Sequence, residues 1–150
     1  MSQEFRQIIR IGGVDLDGNK PVSHQLTRVP GVSVNFSNMI CSLVTVSKIK
    51  KAGDLSDEEV KRLDDALSNP SKFGAPSWML NRRKDPETGE DVHLVSADLK
   101  FVQGNDIKIM RKIKSYKGVR HSARLPVRGQ KTKSNFRSNK GKVAGVKRKK

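Results

Sequence analysis

The sequence predicts a mainly α-helical protein. It has a small helical body with a short N-terminal β-hairpin, then a long helix, then an extended basic tail. Three observations carry that expectation. Apolar residues recur three or four apart in several segments before Tyr116, which is the helical period. A β-branched run broken by turn residues occurs only near the N-terminus. The charge is also divided: residues 1–106 hold 14 basic and 15 acidic side chains, whereas residues 107–150 hold 17 basic and none acidic. The formal net charge of +16 therefore resides in the last part of the chain. Three segments follow: a near-neutral body over 1–95, a connecting helix over 96–117 and a basic tail over 118–150.

The first element is "FRQIIRIGGVDLDG", β-branched and short, ending in the turn formers Asp17, Gly18 and Asn19. A strand or hairpin fits it. Pro21 then stands where a helix can start, and "PVSHQLTRV" gives about two turns before Pro30-Gly31 stops them. In "VNFSNMICSLVTVS", Phe36, Ile40, Leu43 and Val44 fall on one helical face, making this the expected buried helix. The single cysteine, Cys41, lies in that apolar run and reads as a small buried hydrophobe.

"LSDEEVKRLDDALSNP" carries the clearest local signal. Ser56 and Glu59 match a capping box, and Asp57, Glu58 and Glu59 sit where the helix dipole favours anions. Val60, Leu63 and Leu67 share a face, and Asn69-Pro70 ends the helix. Residues 70–95 read as loop-like, with a turn at "DPETGE" and a short element around Trp78. Trp78, between Pro76 and Met79-Leu80, reads as a plug over a small core rather than a base-stacking platform.

From Ser96 the spacing of Leu99, Val102, Ile109, Ile113 and Tyr116 predicts a longer helix, with a kink at Gly104-Asn105. It delivers the chain into the polycation. Beyond it, Gly118, Pro126 and Gly129 argue against further helix, and "SNKGKVAGVKRKK" is low in complexity.

Catalysis has little support. His24, His93 and His121 lie far apart, none at metal-ligand spacing, and "GGVDLDGNK" lacks the Gly-Lys-Ser/Thr ending of a P-loop. No catalytic residue, metal or cofactor is expected. No apolar run approaches the roughly 20 residues of a spanning helix, so a membrane partner is not expected. A lone cysteine fits a reducing cytoplasm. A polycation without counter-charges repels itself and needs an anion, for which nucleic acid is the natural choice. Arg supplies a planar fork for phosphate oxygens and Lys a point charge. The expected nucleic-acid contacts are Lys117, Arg120, His121, Arg124, Arg128, Lys131, Lys133 and Arg137. A second candidate is "TRVPGVS": Pro30, Gly31 and Ser33 form a turn between helices that resembles the hairpin of helix-hairpin-helix modules, where amides meet phosphate.

These residues carry a family resemblance. "GVRHSARLPVRGQKTKSNFR" closely resembles the C-terminal signature of the universal small-subunit ribosomal protein thirteen family, protein eighteen in the eukaryotic series. The matching positions are Gly118, Arg120, His121, Leu125, Pro126, Val127, Arg128, Gly129, Gln130 and Thr132. "IIRIGGVDLDGNK", "VPGVSVNF" and "LSDEEVKRL" are similar to the family's opening, inter-helix turn and next helix start. "FGAPSWMLNRRKDPETGEDVHL" is similar to the insertion of its archaeal and eukaryotic branch. Two positions depart. Arg124 stands where glycine is usual, so a different backbone geometry before Leu125 is expected. Lys131 replaces a usual Arg and loses the bidentate fork.

The resemblance implies a helix-two-turns-helix body and a non-catalytic place in the head of the small ribosomal subunit, in the cytoplasm. It makes the expected nucleic-acid contacts rRNA contacts, on a tail running through rRNA toward P-site tRNA, with Lys147, Arg148, Lys149 and Lys150 facing the tRNA. It also implies large-subunit ribosomal protein five as partner at an intersubunit bridge and small-subunit ribosomal protein nineteen as neighbour. The rival readings are a chromatin-type DNA compactor and a lesion-processing DNA enzyme. The latter would need a nucleophile at the N-terminus or a positioned Lys/Glu pair, and "MSQEF" offers no processed N-terminal proline.

Overall fold

The computed structural model describes residues 5–133, 135 and 136. The chain divides into two compact units, the first ending at Phe101 and the second beginning at Val102. The first opens with an antiparallel hairpin, β1 (Ile8–Ile11) and β2 (Val14–Asp17), in which Ile11 faces Val14 and Ile8 faces Asp17. Gly12 and Gly13 make the turn, and Ile9, Ile11 and Leu16 point into the core. The strands are amphipathic by the period of two expected of a half-buried ribbon.

Helix α1 (Val22–Leu26) follows Pro21, and α2 (Val34–Leu43) begins at Ser33, whose hydroxyl accepts from the Phe36 N–H at 3.3 Å. Phe36, Ile40 and Cys41 are buried as the spacing predicts; Leu43 is only half-buried. Helix α3 (Asp57–Ser68) starts with the expected capping box: the Glu59 N–H donates to Ser56 Oγ at 3.1 Å, and the Ser56 N–H to Glu59 Oε2 at 2.8 Å. Lys50 Nζ adds a 2.6 Å ion pair to the same carboxylate. Burial pushes the Glu59 carboxyl up, but the Lys50 and Ser56 bonds outweigh it and hold it below the ordinary glutamate range. Leu63, Ala66 and Leu67 close the core against β1 and α2.

The 70–95 segment is irregular but anchored. Two short 3-10 turns, Pro70–Phe73 and Ser77–Met79, precede an isolated antiparallel bridge between Arg82 and Val92. Asn81 bonds Leu94 in both directions: its side-chain nitrogen donates to the Leu94 carbonyl at 2.7 Å and its oxygen accepts from the Leu94 N–H at 2.8 Å. His93 is buried and stacks on Phe36, ring centroids 3.8 Å apart and planes within 9°. The Asn81 N–H donates to His93 Nδ1 at 3.3 Å. The insertion is thus clamped onto α2 by an aromatic pair whose members lie far apart in sequence.

Trp78 corrects the sequence expectation. It is 70% exposed, while Leu80, two residues on, is 6% exposed. The 3-10 turn sends Leu80 inward and leaves the indole outside, so Leu80 seals this edge of the core.

Helix α4 (Ser96–Lys112) runs without interruption through Gly104 and Asn105, where a kink was expected. It also stops earlier than the spacing suggested. Lys114 takes a left-handed φ of 54°, and the chain restarts as α5 (Tyr116–Ser122), which contains Gly118. The expected long helix to residue 117 is therefore two helices, and the first part of the expected tail is helical. Ile109, Ile113 and Tyr116, placed by spacing on an apolar face, are 50%, 66% and 64% exposed. No helix among the described residues is long and apolar enough to cross a membrane.

Candidate nucleic-acid interface

In the second unit the chain turns sharply between α4 and α5, and the turn is built almost entirely from backbone bonds. At the end of α4 the Ser115 N–H reaches the Met110 carbonyl at 3.2 Å and the Lys114 N–H reaches that of Arg111 at 3.0 Å. This six-to-one and five-to-two pairing is a Schellman cap with Lys114 in the left-handed position. Ser115 then caps α5: its hydroxyl donates to the Met110 carbonyl at 3.0 Å and accepts from the Gly118 N–H at 3.2 Å. Gly118 is buried, and a methyl group added there would overlap the Met110 carbonyl. Its role is to let α5 cross the end of α4 at backbone distance, not to break a helix.

Helix α5 ends in the same way. Leu125 N–H bonds the Arg120 carbonyl at 3.0 Å, Arg124 N–H bonds that of His121 at 3.2 Å, and Arg124 has φ 54°. This corrects the expectation of a different geometry: the backbone before Leu125 keeps the left-handed conformation that glycine adopts freely, held here by an arginine because the two cap bonds fix it. That conformation costs an L-residue roughly 1–2 kcal/mol. Arg124→Gly is expected to stabilise this turn by about 1 kcal/mol, seen as slower hydrogen exchange at the Leu125 amide. It should also lower the salt slope of RNA binding by roughly one unit if Arg124 meets a phosphate.

Two arginines are tied to the protein's own carbonyls. Arg111 Nη2 donates to the His121 carbonyl at 3.2 Å, and Arg120 Nε donates to that of Pro126 at 3.0 Å. Arg120 also lies over the Tyr116 ring, 6.0 Å from its centroid. These bonds hold α5 and the following Leu125-Pro126 turn in place. Lys117, Arg124, Arg128, Lys131 and Lys133 are exposed, whereas Arg120 and His121 are half-buried. Asp106 is the one acidic side chain in this unit, and no Asp or Glu follows it in sequence among the 17 Lys and Arg residues of 107–150. Arg137, Lys147, Arg148, Lys149 and Lys150 lie outside the described residues.

Sequence reading missed Arg111, Lys114 and Ser115 as organisers of this turn. A serine followed three residues later by Gly118 was the available signal for the cap. In the first unit, the Pro30–Ser33 turn is partly covered: the Ser96 N–H donates to the Pro30 carbonyl at 2.8 Å, and Gly31 (φ 100°) lies against Leu94. Val34 and Asn35, which open α2, are exposed. Among the described residues, no group of His, Cys, Asp or Glu is placed to hold a metal ion.

The family model described as "Ribosomal protein S13/S18" matches residues 10–138. This chain belongs to that family. Small ribosomal subunit protein uS13 of Methanothermobacter thermautotrophicus is 49% identical over 150 residues, covering 100% of this chain and 99% of the relative. Its namesake from Nanoarchaeum equitans is 49% identical over 145 residues, covering 97% and 94%. That from Pyrobaculum islandicum is 48% identical over 150 residues, covering 100% and 96%. Membership makes the protein a structural, non-enzymatic constituent of the ribosome with a role in translation. Every internal bond of the α4–α5 turn, and Arg120, His121, Arg124 and Arg128, fall inside the span that defines the family.

Proposed function

We propose that the protein is a structural constituent of the small-subunit head, whose second unit and tail bind small-subunit rRNA through Lys117, Arg120, His121, Arg124, Arg128, Lys131, Lys133 and Arg137. The observation that carries this reading is the run of exposed cations without carboxylates on a turn organised by backbone bonds. Arg120, with its Nε held by Pro126, offers only its outer guanidinium edge to a phosphate. Preorganisation lowers the ordering cost of binding, because α5 and its flanking turns already have a defined path. Lys147, Arg148, Lys149 and Lys150 extend toward P-site tRNA, and the Pro30, Gly31 and Ser33 turn is a further phosphate contact. The near-neutral body meets proteins, with large-subunit protein five at an intersubunit bridge and small-subunit protein nineteen as a neighbour. Its 13 basic and 13 acidic side chains over residues 1–95 cancel, which supports that division, since it has no general attraction for a polyanion.

Arg128→Ala tests the reading. It is expected to weaken binding to a small-subunit rRNA transcript by about 1–3 kcal/mol, as loss of a charge-assisted phosphate contact does. The slope of log K against log salt should fall by roughly 0.7–0.9. Unchanged affinity and slope in filter binding would place Arg128 among solvated surface cations.

A further inference from the structure

We propose that Trp78 is a stacking platform for an unpaired RNA base, a contact on the body itself. It rests on the ribosomal reading only in taking RNA as the partner. Tryptophan is highly buried on average, yet this indole is 70% exposed and its inward neighbour Leu80 has taken the sealing role. Its exposure does not come from a loose loop. The turn is closed by the Met79 N–H on the Pro76 carbonyl at 3.0 Å and the Leu80 N–H on that of Ser77 at 3.2 Å. On one side Phe73 packs against the core; on the other, Asn81 is doubly bonded to Leu94. The ring is therefore presented at little entropic cost by a fixed turn, which is the requirement for a stacking surface.

The local charge selects RNA over a protein groove. From Ala66 to Lys84 the chain carries Lys72, Arg82, Arg83 and Lys84 and no carboxylate. Arg82 is committed to Asp85 at 2.7 Å, but Lys72, Arg83 and Lys84 are exposed. An aromatic face whose nearest charged neighbours in sequence are cations, with Asp85, the next residue after Lys84, paired to Arg82, can stack a base and neutralise its phosphates together. Base–aromatic stacking contributes about 1–3 kcal/mol per base and tolerates any base.

Trp78 is the only tryptophan in the chain, so its fluorescence reports on this position alone. With full-length protein and a small-subunit rRNA transcript, saturable quenching of Trp78 emission is expected over the concentration range of filter binding. Trp78→Ala should weaken binding about 5- to 150-fold with an unchanged salt slope, because no cation is lost, and Trp78→Phe should restore most of the affinity. Normal binding and slope with unaltered Trp78 emission would overturn the platform and leave the tail reading intact. Emission that responds to added ribosomal proteins but not to RNA would likewise overturn it in favour of a protein contact. Loss of the salt slope in the unmodified protein would instead defeat the tail reading.

Discussion

Cutting the chain after Pro126 is expected to remove most of its affinity for rRNA and most of the salt dependence of what remains. The cut deletes ten Lys and Arg residues and no carboxylate, taking the formal charge from +16 to +6. It spares the α4–α5 turn, including the bond from Arg120 Nε to the Pro126 carbonyl. If each deleted cation neutralises one phosphate, the slope of log K against log salt falls by roughly 7 to 9 units. Affinity near physiological salt then drops on the order of 1,000-fold. The truncated protein should keep its far-UV circular dichroism, since the hairpin and all five helices of the described residues are retained. Filter-binding titrations from low to moderate salt measure the effect. A slope equal to that of the full chain would assign the electrostatics to residues before Val127.

The second large effect is an acid-sensitive body. Burial holds the His93 imidazole down, to about 4 from an ordinary 6.5, with the Gly31 backbone opposing in part. The folded state therefore keeps His93 neutral where the unfolded chain already takes up a proton. Stability from this group is fully present above pH 6.5, declines as pH falls toward 4, and levels off below that. The shift corresponds to about 3 kcal/mol over that window. The structure supplies the reason: the ring is buried and stacked on Phe36, and its Nδ1 already accepts the Asn81 N–H. Among the described residues its Nε2 has no partner within hydrogen-bond geometry, the Gly31 backbone giving only a weak opposing interaction. Urea unfolding of the first unit, followed by Trp78 fluorescence between pH 7 and 4, should show the decline. His93→Phe keeps the stack and should flatten the pH dependence in that window, while losing about 1 kcal/mol for the missing acceptor. Carboxylates such as Glu59 and Asp17, whose pKa values are lowered, begin to lose their contributions only as pH falls through their ordinary values of 4.5 and 3.8, so the upper part of the window reports His93.

The elements legible in the sequence were those fixed within a few residues. Ser56 and Glu59 announced the start of α3, and both reciprocal bonds are present. The short β-branched run bounded by turn formers announced the hairpin, and the spacing of Phe36 and Ile40 announced the buried face of α2. The α4–α5 boundary was less legible because Ile109, Ile113 and Tyr116 keep helical spacing across it. Periodicity cannot register one left-handed residue such as Lys114 that reverses the chain. Trp78 was misjudged because composition favours burying an indole, while the direction a 3-10 turn gives its side chains depends on what Leu80 finds beneath it.

From sequence alone came the division of charge, the cationic tail, the capping box that starts α3 and membership in a ribosomal family. Each depends on residue identity or on neighbours within a turn of helix. Only the tertiary structure decided that Arg111 and Arg120 hold carbonyls, that Gly118 is needed where two backbones cross, that His93 is buried against Phe36 and that Trp78 stands outside. Such outcomes depend on groups brought together across the fold, and no local pattern records which distant atoms will fill the space beside a side chain.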